Sequence, residues 1–292
     1  MKNLSFTPVT LDGRSEFYEL WHKTPRRSLD YSLPNIWGWQ QYFGLQWAFD
    51  GDLCWLRQTV PFVTYWAPVG DWDAVDWAAS GIDDACRSFI RVPEELLERW
   101  RAALPDKVEE HDSRGQWEYL YLQSDLATLP GNRYHKKRNH LRGFEKAYVI
   151  DYRPLDDAMV EDVLGLQDDW CQWHEYEDSP SLRAENEAIN RVLSHWELLD
   201  GLCGGSLYVD GQMVAFSVGE ALDEKTLGVH YEKGLNGFRG VYQTINACFS
   251  REAGNGFELL NRAQDLDEEG LCQAKMTYLP TDFLRKYQVS FK

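Results

Sequence analysis

The chain has 292 residues, of which 43% are hydrophobic and 14% aromatic, including 13 Trp, and its formal net charge is -17. That much apolar and aromatic content excludes long disorder, and the length allows two domains of ordinary size. The acidic balance excludes a surface that embraces nucleic acid or an anionic membrane over its whole extent.

No stretch reaches the roughly 18 apolar residues that a membrane span needs, and MKNLSFTPVTLDGRSEF lacks the apolar centre of a signal peptide, so no integral membrane segment and a cytoplasmic location are expected. The six cysteines, at 54, 86, 171, 203, 248 and 272, form no CxxC pair, which predicts buried free thiols in place of a structural zinc site. His135 and His140 come without a carboxylate or cysteine array, and no metal is expected. The charge is uneven: 156–200 holds 13 acidic residues against Arg183 and Arg191, whereas 133–146 carries six Lys or Arg against Glu145.

In chain order, Asp12 to Lys23 predicts a helix with Phe17, Leu20 and Trp21 on one face. Asp50-Gly51 predicts a hairpin, because such a turn needs positive backbone angles. A strand at Phe62 to Ala67, helices at Trp72 to Ser80 and Pro93 to Leu104, and a strand at Trp117 to Leu122 complete the first half. Next, Tyr134, Leu141, Phe144 and Tyr148 form one helical stripe within Arg133 to Tyr148. The rest of that segment is basic, and Lys136, Lys137, Arg138 and Asn139 are its candidate contacts to phosphate oxygens. A merely solvated helix face is the competing reading.

In the second half, Met159, Val163, Leu166, Trp170 and Trp173 step through one helix, and Leu182, Ile189, Val192, Trp196 and Leu199 through another, with the tryptophans expected in the core. Ser206 to Val209, the turn Asp210-Gly211, Val214 to Ala221 and Thr226 to Tyr231 predict an antiparallel meander. The stretch Leu227 to Phe249 is the centre of the reading: its strand turns His230 and Glu232 to one face, and Gly234, Gly237 and Gly240 precede a helix over Val241, Ile245 and Phe249. A short strand at Phe257 to Asn261 and a helix at Glu268 to Met276 follow. The two Asp-Gly hairpins lie 160 residues apart, a spacing of whole domains, and the expected division is 1–130, a basic connecting helix at 131–150, and 151–292.

The element order and the blocks LPGNRYHKKRNHLRGF, GVHYEKGLNGFRGVYQTIN, LLNRAQDLDEEGLCQAKMTYLP and RKY resemble a bacterial family of domains of unknown function. That family is similar to the C-terminal catalytic domain of phosphatidylglycerol lysyltransferase, and more distantly to the Fem-type aminoacyltransferases. The resemblance implies an α+β fold of two tandem GNAT-like (acyl-CoA N-acyltransferase) domains, with mixed, mostly antiparallel sheets flanked by helices. It also implies a transferase that moves an aminoacyl group from aminoacyl-tRNA, or an acyl group from acyl-CoA, to an amine or hydroxyl. A tRNA acceptor stem or another phosphate-bearing substrate is the implied partner. The loop GLNGFRGVYQ departs from the glycine-rich pyrophosphate motif of coenzyme A enzymes, and the membrane span of the lysyltransferases is not expected.

Acyl transfer needs a base, donors for an oxyanion and a grip on the donor's phosphates. Glu232, with His230 beside it, is the candidate catalytic base. The N–H groups around Arg239 to Tyr242 are candidate oxyanion or phosphate donors, and Tyr242 and Asn246 lie one turn apart on the helix. Asn261, Arg262 and Asp265 follow the next strand, with Lys275 and Tyr278 close behind, suited to a carboxylate or phosphate. An Arg262–Asp265 ion pair that only fixes the loop is the bland alternative. At the level of function, the alternative is a non-catalytic module that binds a phosphorylated or carboxylated small ligand.

Overall fold

A computed structural model of the chain describes residues 4–83, 87–173 and 179–292. It divides into two compact units, Met1–Glu118 with Gln264–Cys272 and Phe283–Lys292, and Tyr119–Ala263 with Gln273–Asp282. The linear division at 130 and 150 does not follow this interleaving, because the end of the chain returns to the first unit.

The first unit holds β1 (Thr7–Pro8), α1 (Arg14–Trp21), α2 (Leu33–Gly38), α3 (Gln40–Phe43), β2 (Gln46–Phe49), β3 (Leu53–Gln58), β4 (Thr64–Trp66), β5 (Val69–Gly70), β6 (Ser88–Pro93), α4 (Glu94–Ala103) and β7 (Val108–Asp112). Its sheet runs β1-β2-β3-β4-β6, then the chain's last strand Lys286–Phe291, then β7, with β5 beside β3. The Asp50-Gly51 hairpin forms as expected: Gly51 sits at φ 99°, and the Asp50 carboxylate accepts from Leu53 N and Trp55 Nε1. The expected helix at Trp72 to Ser80 does not form. The Asp71 and Asp76 carboxylates accept from backbone N–H groups two or three residues on, which favours turns over a helix, and the Trp72 and Trp77 indoles bond to the carbonyls of Pro68 and Trp72.

β4 and β6 pair in parallel only at Tyr65–Phe89 and Trp66–Ile90, and the next residue, Arg91, takes a left-handed φ of 59°. Its guanidinium lies 4.2 Å over the Trp66 ring and bonds to the buried Asp30 carboxylate. Lys286, on the last strand, bonds to that same carboxylate and to Glu118 at 2.6 Å, with its side chain fully buried. Two carboxylates and two cations therefore neutralise one another inside the first unit, which anchors the last strand there.

The second unit holds β8 (Glu118–Leu122) from Tyr119 on, α5 (Gln123–Thr128), α6 (His135–Ala147), β9 (Ile150–Pro154), α7 (Val160–Trp173), α8 (Pro180–Leu193), β10 (Leu202–Val209), β11 (Gln212–Ala221), β12 (Thr226–Gly234), α9 (Val241–Glu252) and β13 (Leu259–Asn261). Helix α10 (Glu269–Met276) follows. Six strands run in the order β8-β13-β12-β11-β10-β9. All their pairings are antiparallel except β12 with β13. The meander, both Asp-Gly turns and the α+β class are as expected. On one face, Val241, Ile245 and Cys248 of α9 and Phe144 of α6 pack with Leu207, Val209, Val214 and Ala215. The α7 stripe ends sooner than its periodicity implies: Val163 and Leu166 are buried, but Trp173 is 69% exposed.

Of the cysteines, 54, 171 and 248 are buried free thiols, 203 and 272 are half-buried, and Cys86 lies outside the described residues. Among the described residues no group of His, Cys, Asp and Glu could hold a metal ion, and no helix is long and apolar enough to cross a membrane.

Candidate active site

β12 and β13 hydrogen-bond only at Thr226–Leu259, Leu227–Leu260 and Gly228–Asn261. Beyond that point β12 continues to Gly234 while β13 ends, so the two strands part. Glu232 and Arg262 face each other across this gap, with Arg262 Nη2 donating to Glu232 Oε1 at 2.8 Å. Their side chains are 10% and 15% exposed, enough to be reached and enough to be largely desolvated. Asn246 on α9 donates to the other Glu232 oxygen at 3.3 Å, and its own Oδ1 is buried without a partner among the described residues. Ser217, opposite Glu232 in the β11–β12 register, also has a buried Oγ without a partner among the described residues. The carboxylate thus sits among groups that fix it on one side and leave acceptors unused on the other.

Around Arg262 lies an aromatic wall. Its guanidinium is 5.1 Å from the Tyr278 ring centroid and 6.0 Å from that of Tyr121. Burial pulls the Arg262 proton affinity down, but the Glu232 charge and the neighbouring tyrosines outweigh it and the net shift is upward. Lys137 of α6 lies 4.1 Å from the centroid of the Tyr278 ring. Burial, and then the charge of Arg262, holds its amine below the ordinary lysine range, and it has no carboxylate partner among the described residues. Lys275 donates to the Arg262 carbonyl at 2.6 Å, which ties α10 to the end of β13. Gln243, in the first turn of α9, is near enough to the Tyr278 hydroxyl to oppose part of the upward push of burial.

Glu232, Asn246, Arg262, Lys275, Tyr278 and Lys137 are therefore brought together. The other expected residues are not. His230, the extra residue at a register shift between β11 and β12, bonds through Nε2 to Glu220 at 3.0 Å, with both side chains at most 3% exposed. It is a partner for Glu220, not for Glu232. Tyr242 turns its hydroxyl to the Trp170 indole at 2.9 Å. Asp265 lies in the first unit, where it accepts from Asp267 N and pairs with Arg114, whereas the Arg262 guanidinium pairs with Glu232. Asn261 folds its Oδ1 back onto Ala263 N. Arg138 bonds to the carbonyls of Leu129 and Gly131 ahead of α6, whereas Lys136 and Asn139 are exposed and Asn139 reaches His135.

The glycine loop serves packing at one position and openness at another. A Cβ on Gly240, at φ 96°, would lie 2.6 Å from the His140 carbonyl oxygen, so glycine there lets α6 approach α9. Gly237, at φ 92°, has nothing within 4 Å. Arg239 is exposed, and residues 235–243 line a surface depression of about 220 Å³. The Val241 N–H is already given to Phe238 O, which removes one of the expected oxyanion donors. Tyr119, Tyr121 and Gln243 were not singled out from sequence, although the alternation in WEYLYL places both tyrosines on one strand face, stacked at 6.4 Å.

The profile of the family described as "Phosphatidylglycerol lysyltransferase, C-terminal" matches residues 22–290. The chain belongs to this family. It is 29% identical to a conserved protein of unknown function from Bacteroides thetaiotaomicron whose crystal structure covers 99% of this chain and 100% of that one, with a TM-score of 0.88. It shares the fold of L-PGS from Bacillus licheniformis, with a TM-score of 0.66 at 12% identity over 94% and 91% of the two chains. Over 171 residues it is 26% identical to the uncharacterized protein MYCGA3080 of Mycoplasmoides gallisepticum, a match to 59% of this chain and 55% of that relative's length. The chain therefore spans about half the length of that relative. The two mixed sheets flanked by helices, and the fold shared with L-PGS, bear out the α+β expectation.

Proposed function

We propose that the second unit transfers an aminoacyl group, with the gap between β12 and β13 as the reaction site. The observation that carries this reading is the Glu232–Arg262 pair spanning the parted strands. In this scheme an acceptor amine or hydroxyl approaches Glu232, which takes its proton as the new bond to the carbonyl carbon forms. Arg262, already oriented by Glu232, stabilises the charge that develops on the carbonyl oxygen, and as the ester bond breaks the donor's oxygen leaves as a hydroxyl with the proton that Glu232 took. Lys137, a cation without a carboxylate partner among the described residues, suits an anionic part of the donor or acceptor. His230 has no proton-transfer role here, since it is committed to Glu220.

Family membership and the likeness to L-PGS support aminoacyl-tRNA as the donor ahead of acyl-CoA. The loop supports the same order, because the space at Gly240 is filled by α6 and is not left for a pyrophosphate. Initial rates with aminoacyl-tRNA and with acyl-CoA, each against a panel of amine and hydroxyl acceptors, test this: product is expected with the first donor. No product with either donor across the panel counts against transfer. In that event, thermal stabilisation by a phosphorylated or carboxylated ligand without turnover favours the binding-module reading, to which the closed Glu232–Arg262 pair also lends itself.

A further inference from the structure

Outside the transfer site, the first unit carries a loop that its fold leaves uncovered. Between β3 and β4, Val60, Phe62 and Val63 are 48%, 68% and 62% exposed, and Pro61 between them is exposed as well. The loop is held in place at its base. Thr59 N and Val60 N both donate to Phe43 O at 3.0 Å, the Thr59 hydroxyl donates to Gly44 O at 2.9 Å, and Thr64 is tied to Ser88 O. Tyr42, also exposed, precedes the Phe43 carbonyl that holds the loop and meets the Trp39 and Phe43 rings edge to face, with centroids 5.8 and 4.9 Å away.

The chemistry of this end is unlike the rest of the chain. Charged residues make up 26% of the sequence, yet no Asp, Glu, Lys, Arg or His occurs in 36–49 or 58–70. A tip of four residues is far smaller than the roughly 800 Å² per partner that a specific protein interface needs, whereas a bilayer asks for no matching shape.

We propose that the Val60–Val63 tip inserts into the interfacial layer of a lipid bilayer, holding the protein at an uncharged membrane surface. The net charge of -17 sets the preference: zwitterionic lipid is favoured and anionic lipid is opposed by the acidic body. This inference does not depend on the transferase reading, because binding is measured without donor or acceptor.

The test is flotation of the full chain with phosphatidylcholine vesicles, with and without phosphatidylglycerol, for the wild type and a Val60→Ser, Phe62→Ser, Val63→Ser variant. The wild type is expected to float with phosphatidylcholine, to float less as phosphatidylglycerol is added at low salt, and to keep its binding at high salt. The variant is expected to lose binding by about tenfold or more while retaining its circular dichroism and melting temperature, since these side chains are about half exposed or more. Failure of the wild type to float, or equal binding by the variant, overturns the proposal. So does a concentration-dependent dimer that the variant dissolves, which would give the tip to a second copy of the chain.

Discussion

Arg262 Nη2 donates to Glu232 Oε1 at 2.8 Å across the point where β12 and β13 part. Both side chains are largely desolvated, so removing one partner strands the other. Glu232→Gln or Arg262→Met is expected to cost about 3–5 kcal/mol of stability, and the Glu232→Gln/Arg262→Met double variant clearly less than the sum. Urea unfolding of the four proteins measures the coupling. Additive losses would mean that the pair does not interact in solution.

The sequence made one side of this pair legible and hid the other. Alternation in LGVHYE puts His230 and Glu232 on one strand face, but says nothing of which partner each meets. The register shift on β12 and the carboxylate of Glu220 separate the two, and neither is encoded within the strand itself. For Arg262 the chain offers a nearby carboxylate, Asp265, only as the alternative to a ligand, whereas the fold delivers Glu232, 30 positions earlier in the chain. Local patterns found α6, α9, the meander and both Asp-Gly turns, because their signals are short-range. The return of Lys286–Phe291 to the first sheet was not legible, since strand pairing across the chain leaves no periodic trace. At 72–80, tryptophans that look like a helical face instead bond through their indoles to turn carbonyls.

That returning strand supplies a second prediction. Lys286 is wholly buried between Asp30 and Glu118. Lys286→Met removes a cation from two buried carboxylates and is expected to destabilise the protein by about 3–5 kcal/mol. Thermal and urea unfolding check this, and a loss below about 1 kcal/mol would show that the network is not a source of stability.

Gly240 tests the contact between α6 and α9. Gly240→Ala combines a left-handed backbone with a Cβ 2.6 Å from the His140 carbonyl oxygen, and a loss of about 2 kcal/mol or more is expected. Gly237→Ala, at a similar φ but in open space, is expected to lose about 1 kcal/mol. Equal losses at the two sites would remove the packing role assigned to Gly240.

Burial drives a third property of the site. It pushes the hydroxyls of Tyr134 and Tyr278 up to about 12, for Tyr278 against the opposing charge of Arg262. A group raised in the folded state contributes stability that is fully present below its unfolded value near 10 and is lost as pH rises toward 12. Alkaline unfolding is therefore expected to begin above about pH 10. Tyr278→Phe removes one such group and is expected to flatten that decline, as read by urea midpoints from pH 9.5 to 11.5. An unchanged slope would show that Tyr278 ionises as freely as an exposed tyrosine.

The most direct test of the central claim is the rate of product formation from labelled aminoacyl-tRNA with the acceptor that the panel identifies, compared between the wild type, Glu232→Gln and His230→Gln. Transfer across the β12–β13 gap predicts a loss of about 100-fold or more for Glu232→Gln, with His230→Gln retaining most activity if folded. Full activity in a folded Glu232→Gln protein would contradict the account.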